Sequence, residues 1–117
     1  MLQALLTNVP IKTGTDNDWY YKKYADGTFE AWVSTGTIII SGLAQTGYNY
    51  YKTVEVTNLP TLATEVTSIN ISANSSDFWV GSVGWSLETR KISAFMLRSI
   101  NYEYQASFSL HMFGKWK

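Results

Sequence analysis

His111 is the only histidine in a chain that has no cysteine, so any nucleophilic triad must be built around it. Ser107 and Ser109 are the nearest serines on the same strand face, yet neither sits on a strained elbow and no Gly-x-Ser-x-Gly occurs. His111 therefore reads as a solvent-facing or interface residue. Zinc needs three or four Cys, His or carboxylate ligands, which one histidine does not supply. Asp16-Asn17-Asp18 opens like a calcium loop, but Trp19 and Tyr20 follow where further oxygen ligands belong, and no glycine or closing glutamate stands at the required offsets. It reads instead as a turn capping the first strand. Glycosidase chemistry needs two carboxyl groups opposed across a cleft; Glu30, Glu55, Glu65, Glu88 and Glu103 mostly occupy outward parity. Gly81-Ser82-Val83-Gly84 matches neither a P-loop nor a dinucleotide fingerprint. No catalytic residue, metal site or cofactor is expected.

What remains is aromatic surface. Trp19, Tyr20, Tyr21, Tyr24, Trp32, Tyr48, Tyr50, Tyr51, Trp79, Trp85 and Trp116 cannot all be core, because both faces of the first aromatic strand carry rings. Flat rings with a polar tip suit sugar stacking and interfaces, since they give large contact area for little lost rotamer entropy. Trp19, Trp32 and Trp79 are assigned to a sheet interior. Tyr48, Tyr50 and Tyr51 are the candidates for ligand or subunit contact, with Gln45 and Asn49 nearby to orient a saccharide.

The elements that position these residues follow from composition and pattern. The 117 residues suffice for one domain, and 45% are hydrophobic, 15% aromatic and only 15% charged, with formal net charge zero. That excludes the basic field that nucleic acid or anionic membranes require. It also leaves little charge to keep copies apart, so self-association is expected. The absence of cysteine excludes a disulfide-stapled module and fits assembly in a cytoplasm. No apolar run approaches membrane length and no signal-peptide pattern opens the chain, so membrane insertion is not expected. The sequons at Asn70 and Asn74 read as Ser/Asn-rich loop chemistry.

Residues 1–8 carry Leu2, Leu5 and Leu6 at helical spacing, and 1–18 as a whole is expected to be a helical or stem segment with a linker from Pro10 to Asp18. From Trp19 onward the pattern is period two. Strands are predicted at about 19–24, 28–34 (Phe29, Ala31 and Val33 on one face), 38–40, 52–57 (Val54 and Val56 inward, Glu55 outward), 66–72, 77–85, 91–100 and 102–113. Residues 41–51 read as a long loop. In the last strand Tyr102, Tyr104, Ala106, Phe108, Leu110 and Met112 share one face and the polar residues the other. The expected fold is all-β: an antiparallel, jelly-roll-like β-sandwich over 19–117.

The segment Trp19-Tyr20-Tyr21-Lys22-Lys23-Tyr24-Ala25-Asp26-Gly27-Thr28-Phe29-Glu30-Ala31-Trp32 has two β-prone runs around Asp26-Gly27, a dipeptide suited to a two-residue type I′ hairpin. Its wording, with Gly47-Tyr48-Asn49-Tyr50-Tyr51 and Val56-Thr57-Asn58-Leu59-Pro60, resembles the C-terminal head domains of tail-fibre and baseplate receptor-binding proteins from phages and prophages of Gram-positive bacteria. The resemblance implies a non-catalytic, homotrimeric β-sandwich on a virion tail or baseplate. Such a head binds wall polysaccharide or teichoic acid and contacts other tail proteins. It further implies that Trp19, Tyr21, Asp26, Gly27 and Trp32 serve as a folding hairpin. Because that family has a long upstream shaft, the chain is expected to be either a fragment of a fibre or a small stand-alone virion protein. A purely structural head or tail decoration protein is the alternative, and a carbohydrate-active hydrolase the third reading.

Overall fold

The computed structural model describes residues 9–47, 49–73, 79–99 and 103–117. They form strands β1 (Pro10–Asp16), β2 (Trp19–Tyr24), β3 (Thr28–Ser34), β4 (Ile38–Ile40), β5 (Ala44–Thr46) and β6 (Asn49–Asn58). The remaining strands are β7 (Glu65–Ala73), β8 (Trp79–Ser86), β9 (Lys91–Arg98), β10 (Tyr104–Ala106) and β11 (Phe108–Lys115). Every pairing is antiparallel, in a five-stranded sheet β1-β2-β3-β11-β7, a four-stranded sheet β5-β6-β9-β8 and a two-stranded sheet β10-β4. The all-β antiparallel class read from the alternation is the one observed. The helix expected in residues 1–8 lies outside the described residues.

One core joins the three sheets in a sandwich-like arrangement. Trp19, Tyr21, Phe29, Ala31, Val33, Ile69, Phe108, Leu110 and Met112 come from the five-stranded sheet. Val54, Val56, Ile92, Ala94 and Met96 come from the four-stranded sheet, and Ile40, Tyr104 and Ala106 from the short one. The parities predicted for β3, β6 and the last strands are thus met in this cluster, because strand residues two apart share a face. The body is elongated, 55 × 28 × 23 Å.

Four expectations change. Pro10–Asp16 is not a linker but an edge strand paired along β2. The tight two-residue turn is Asn17-Asp18, both at positive φ (50° and 70°), while the turn after β2 spans Ala25-Asp26-Gly27 with only Gly27 at positive φ (93°). Gly27 N–H donates to Tyr24 O at 3.1 Å, the three-residue arrangement in which glycine takes the left-handed position after a tight bend. The single strand expected over 102–113 is broken at Ser107. Between the Ser34–Ser109 and Ile38–Ala106 pairs, Gly36-Thr37 oppose Ser107, so the ladder slips and β4–β10 separates as its own sheet. The loop expected at 41–51 is the β5–β6 hairpin, with Gly47 at φ 59°.

The chain crosses from one large sheet to the other between β6 and β7, and there its backbone leaves every ladder. Side chains from both sheets take over. Asn17 Nδ2 donates to Leu59 O at 3.0 Å and Trp19 Nε1 to Asn58 O at 2.7 Å. From the β8–β9 turn, the Arg90 guanidinium donates to Ala63 O at 2.9 Å and to Pro60 O. The Asp16 carboxylate accepts the Thr61 and Leu62 N–H groups and the Thr61 hydroxyl, each at 2.9 Å. Burial alone would raise the Asp16 pKa, but these bonds and the Arg90 charge bring it below the usual carboxylate value.

Two stability outcomes follow. Asp16→Asn should lower unfolding free energy by about 1–2 kcal/mol at pH 7. Because the folded-state pKa is depressed, the Asp16 contribution is whole above about pH 4 and fades as pH falls through the folded value. Urea denaturation should therefore show the gap between the wild type and D16N narrowing as pH falls below about 4. Gly114→Ala should cost about 1–3 kcal/mol, because an added Cβ lies 2.3 Å from Glu65 O and 2.8 Å from Phe29 Cε1. Gly36→Ala, with nothing within 4 Å, should stay within about 0.5 kcal/mol of the wild type in the same assay.

Candidate functional site

Burying one face of the five-stranded sheet sends its other side chains outward in rows set by register. Tyr20 faces Trp32, Trp32 faces His111, and His111 faces Asn70; in the next row stand Lys22, Glu30, Phe113 and Ser68. The rings of the first row and Phe113 form a ladder. Tyr20 and Trp32 centroids are 6.0 Å apart, Trp32 and His111 are stacked at 4.7 Å with planes 13° apart, and His111 and Phe113 are 4.5 Å apart and tilted. Lys22 Nζ lies 5.5 Å from the Trp32 ring centre, within cation–π range. The middle rings cover one another. The end rings stay open, Tyr20 at 44% exposure and Phe113 at 37%.

Glu30 connects the ladder to the hairpin turn. The Tyr24 hydroxyl donates to Glu30 Oε1 at 2.7 Å, and Glu30 Oε2 lies 3.1 Å from His111 Nε2. That hydrogen bond, then burial, then the carboxylate charge push the Tyr24 phenol up to about 12. At the turn, Asp26 Oδ1 accepts the Thr28 hydroxyl at 2.6 Å and the Thr28 N–H at 3.0 Å. These two bonds hold the Asp26 carboxyl below its ordinary value. Trp116 braces the turn from the C-terminus, its N–H reaching Gly27 O at 2.8 Å and its Nε1 reaching Tyr24 O at 3.0 Å.

A depression of about 540 Å³ opens at the Phe113 end, lined by Tyr24, Asp26, Thr28, Glu30, Thr67 and Phe113. Its volume falls within the range of small-molecule sites. Shallower hollows of about 260 and 220 Å³ continue along the same face beside Tyr20 and between Trp32, His111 and Asn70. One open ring, two carboxylates and several hydroxyls thus face a single concavity. Such a lining can stack an apolar ring face and accept hydrogen bonds from hydroxyl groups around its rim. Among the described residues no group of three or more His, Cys, Asp or Glu side chains is placed to hold a metal ion.

The residues singled out from sequence are not gathered in this way. Tyr48 lies outside the described residues. Gln45 and Asn49 are exposed in the β5–β6 hairpin, and Gln45 Nε2 donates to Gly47 O at 3.2 Å. Tyr50 and Tyr51 are adjacent on a strand, so they point to opposite sides. Tyr50 pairs with Arg98, whereas Tyr51 pairs with Leu97 and approaches Phe95 at 5.6 Å. Of the hairpin residues, Trp19 is buried as expected and Tyr21 is buried as well, while Trp32, expected in the interior, is half-buried on the outer face. The interior position expected for Trp79 is also overturned, since it is 58% exposed. Tyr20, Tyr24, Glu30, Thr67 and Phe113 were not singled out as ligand contacts. The signal was present in Phe113, an apolar ring sharing the parity of His111 on a face otherwise polar.

Glu30→Ala should bring the Tyr24 phenol down toward 10, since it removes the hydrogen-bond acceptor and with it the negative charge that opposes ionisation; pH titration of ¹³C-labelled tyrosine rings by NMR reads this directly. Comparison with protein families, with curated proteins and with solved structures returns no match to this chain.

Proposed function

We propose that the chain is a non-catalytic receptor-binding head domain of a phage tail or baseplate, which takes a bacterial cell-surface glycan in the depression beside Phe113. The observation that carries this reading is the lining itself: an exposed ring next to Glu30, Asp26, Tyr24, Thr28 and Thr67 in a hollow of about 540 Å³. A pyranose has an apolar C–H face and a rim of hydroxyl groups, and these match a ring and a set of acceptors respectively. The hairpin that carries the sequence resemblance supplies Tyr24, Asp26, Thr28 and Glu30, so the motif is part of the proposed site as well as a folding element. A hollow this open binds one sugar weakly, and several copies on one virion would raise avidity without new contacts.

A structural virion protein is the second reading. It is favoured by a row of apolar side chains on the outer face of the four-stranded sheet, where Tyr51, Leu97 and Trp79 stand beside Phe95. The two readings separate on binding. Glycan arrays and pull-down of whole Gram-positive cells should show saturable binding by the wild-type chain. Phe113→Ala and Glu30→Ala should each weaken it about tenfold, the equivalent of about 1.4 kcal/mol. Both variants should keep the far-UV circular dichroism of the wild type, and Tyr50→Ala should bind unchanged. Absence of saccharide and cell binding, or full affinity in F113A, would overturn the proposal.

A further inference from the structure

The edges of the two large sheets are not equally protected. β1 carries Pro10, Lys12 and Asp16, β7 carries Glu65, and β5 is only three residues long. Charge, proline and shortness are the usual means of keeping an open edge from pairing with another chain. β8 has none of these three, and carries one bulge, between Val80 and Ser82. Its eight residues, Trp79-Val80-Gly81-Ser82-Val83-Gly84-Trp85-Ser86, include no charge and no proline. One edge is bonded to β9, and among the described residues no strand is bonded to the other. Every residue of β8 is exposed or half-buried, including Trp79 at 58% and Trp85 at 38%.

We propose that β8 pairs antiparallel with β8 of a second copy, joining two four-stranded sheets across a two-fold axis. This inference is independent of the glycan reading. Among the described residues the outer backbone donors and acceptors of β8 have no strand partner; such an edge calls for another strand edge, and three features select the chain's own copy. Two-fold pairing sets each residue opposite one from the same strand, so a charged strand would meet like charges whereas this one meets none. The chain has formal net charge zero, so no long-range repulsion opposes approach. Trp79 shares the outer row with Leu97 and Tyr51, whereas Trp85 pairs with Ile92 on the other face, so antiparallel pairing sets one ring on each face of the joined sheets at both ends of the seam. At about 250 Å² for a whole tryptophan side chain, the exposed fractions offer roughly 240 Å² per copy, near a third of the ~800 Å² per partner of a standard interface. The strand backbone and the adjoining Phe95, Leu97 and Tyr51 side chains supply further area. The geometry therefore points to a two-fold pair rather than the three-fold assembly implied by the sequence resemblance.

Light scattering coupled to size exclusion, with the full chain at tens of micromolar, tests this. The expected mass is twice the 13.2 kDa chain. Gly84→Lys should give a monomer with unchanged circular dichroism, because a Cβ at this position meets nothing within 4 Å; Ser82→Lys is a second charged probe of the same edge. Gly84→Ser adds a side chain without charge and should remain a dimer. A wild-type monomer or trimer, or a folded G84K or S82K that keeps the dimer mass, would overturn the proposal. Loss of the dimer with glycan binding retained would leave the reading of the Phe113 hollow standing, and the reverse result would leave the edge pairing standing.

Discussion

The crossing between β6 and β7 is the constraint on which the rest of the structure depends. A chain passing from one sheet to another leaves backbone amides and carbonyls without ladder partners, and buried polar groups left unpaired are costly. Leu59, Pro60 and Ala63 are all buried here. Donors from the β1–β2 turn (Asn17) and from β2 (Trp19), together with Arg90 of the β8–β9 turn, satisfy the carbonyls, while Asp16 accepts the facing N–H groups. Arg90 holds a left-handed φ of 63° although it is not glycine, and its guanidinium bonds and the Arg90 N–H to Ser86 O bond offset that cost. The two hairpins are thereby fastened to one short stretch, Asn58 to Ala63, which sets the sheets in the relation that one core requires.

Once the sheets are fixed, the outer face has little freedom. Phe29, Ala31 and Val33 must face the core, so Glu30 and Trp32 must face away; the same alternation in β11 fixes His111 and Phe113. The ring ladder is a product of cross-strand register, with neighbouring strands bringing their rings to within stacking distance. Its hydrogen bonds then limit motion. Tyr24 and His111 hold Glu30 from two sides, and Thr28 holds Asp26. A preorganised lining loses less entropy when a ligand is bound.

Alternation in the sequence is enough to place β2 and β3 at their observed bounds and to assign the buried parity of β3, β6 and β11, because a period of two has one meaning when one face is wet. Turn chemistry was less legible. Asp26-Gly27 carries the stronger hairpin signal, yet Gly27 alone takes positive φ there, and the two-residue turn falls at Asn17-Asp18, inside the stretch read as a turn before the first predicted strand. Pro10–Asp16 was hidden because an edge strand with proline and charge looks like linker by composition. The ligand tyrosines were misleading for a related reason. Tyr48, Tyr50 and Tyr51 cluster in sequence, but a strand separates neighbours onto opposite faces. The Phe113 hollow draws on β2, β3, β7, β11 and a turn, and no short-range pattern encodes that meeting.

The two aromatic surfaces of this molecule differ in chemistry, and the difference bears on their use. Around Phe113 the ring stands among Glu30, Asp26, Thr28 and Thr67, all of which keep favourable partners in water. A surface of that kind is stable when empty and suits an occupant that comes and goes. Along β8, Trp79 and Trp85 stand on an edge with no charged side chain and with backbone groups that only another strand can pair in full. Interfaces meant to persist are depleted of charge at their centre and enriched in aromatic residues. A surface like β8 gains most from being covered once and left covered. Reversible contact at the five-stranded sheet and lasting contact at the four-stranded edge are therefore physically compatible in one small domain, since the two sites lie on different sheets and share no residue.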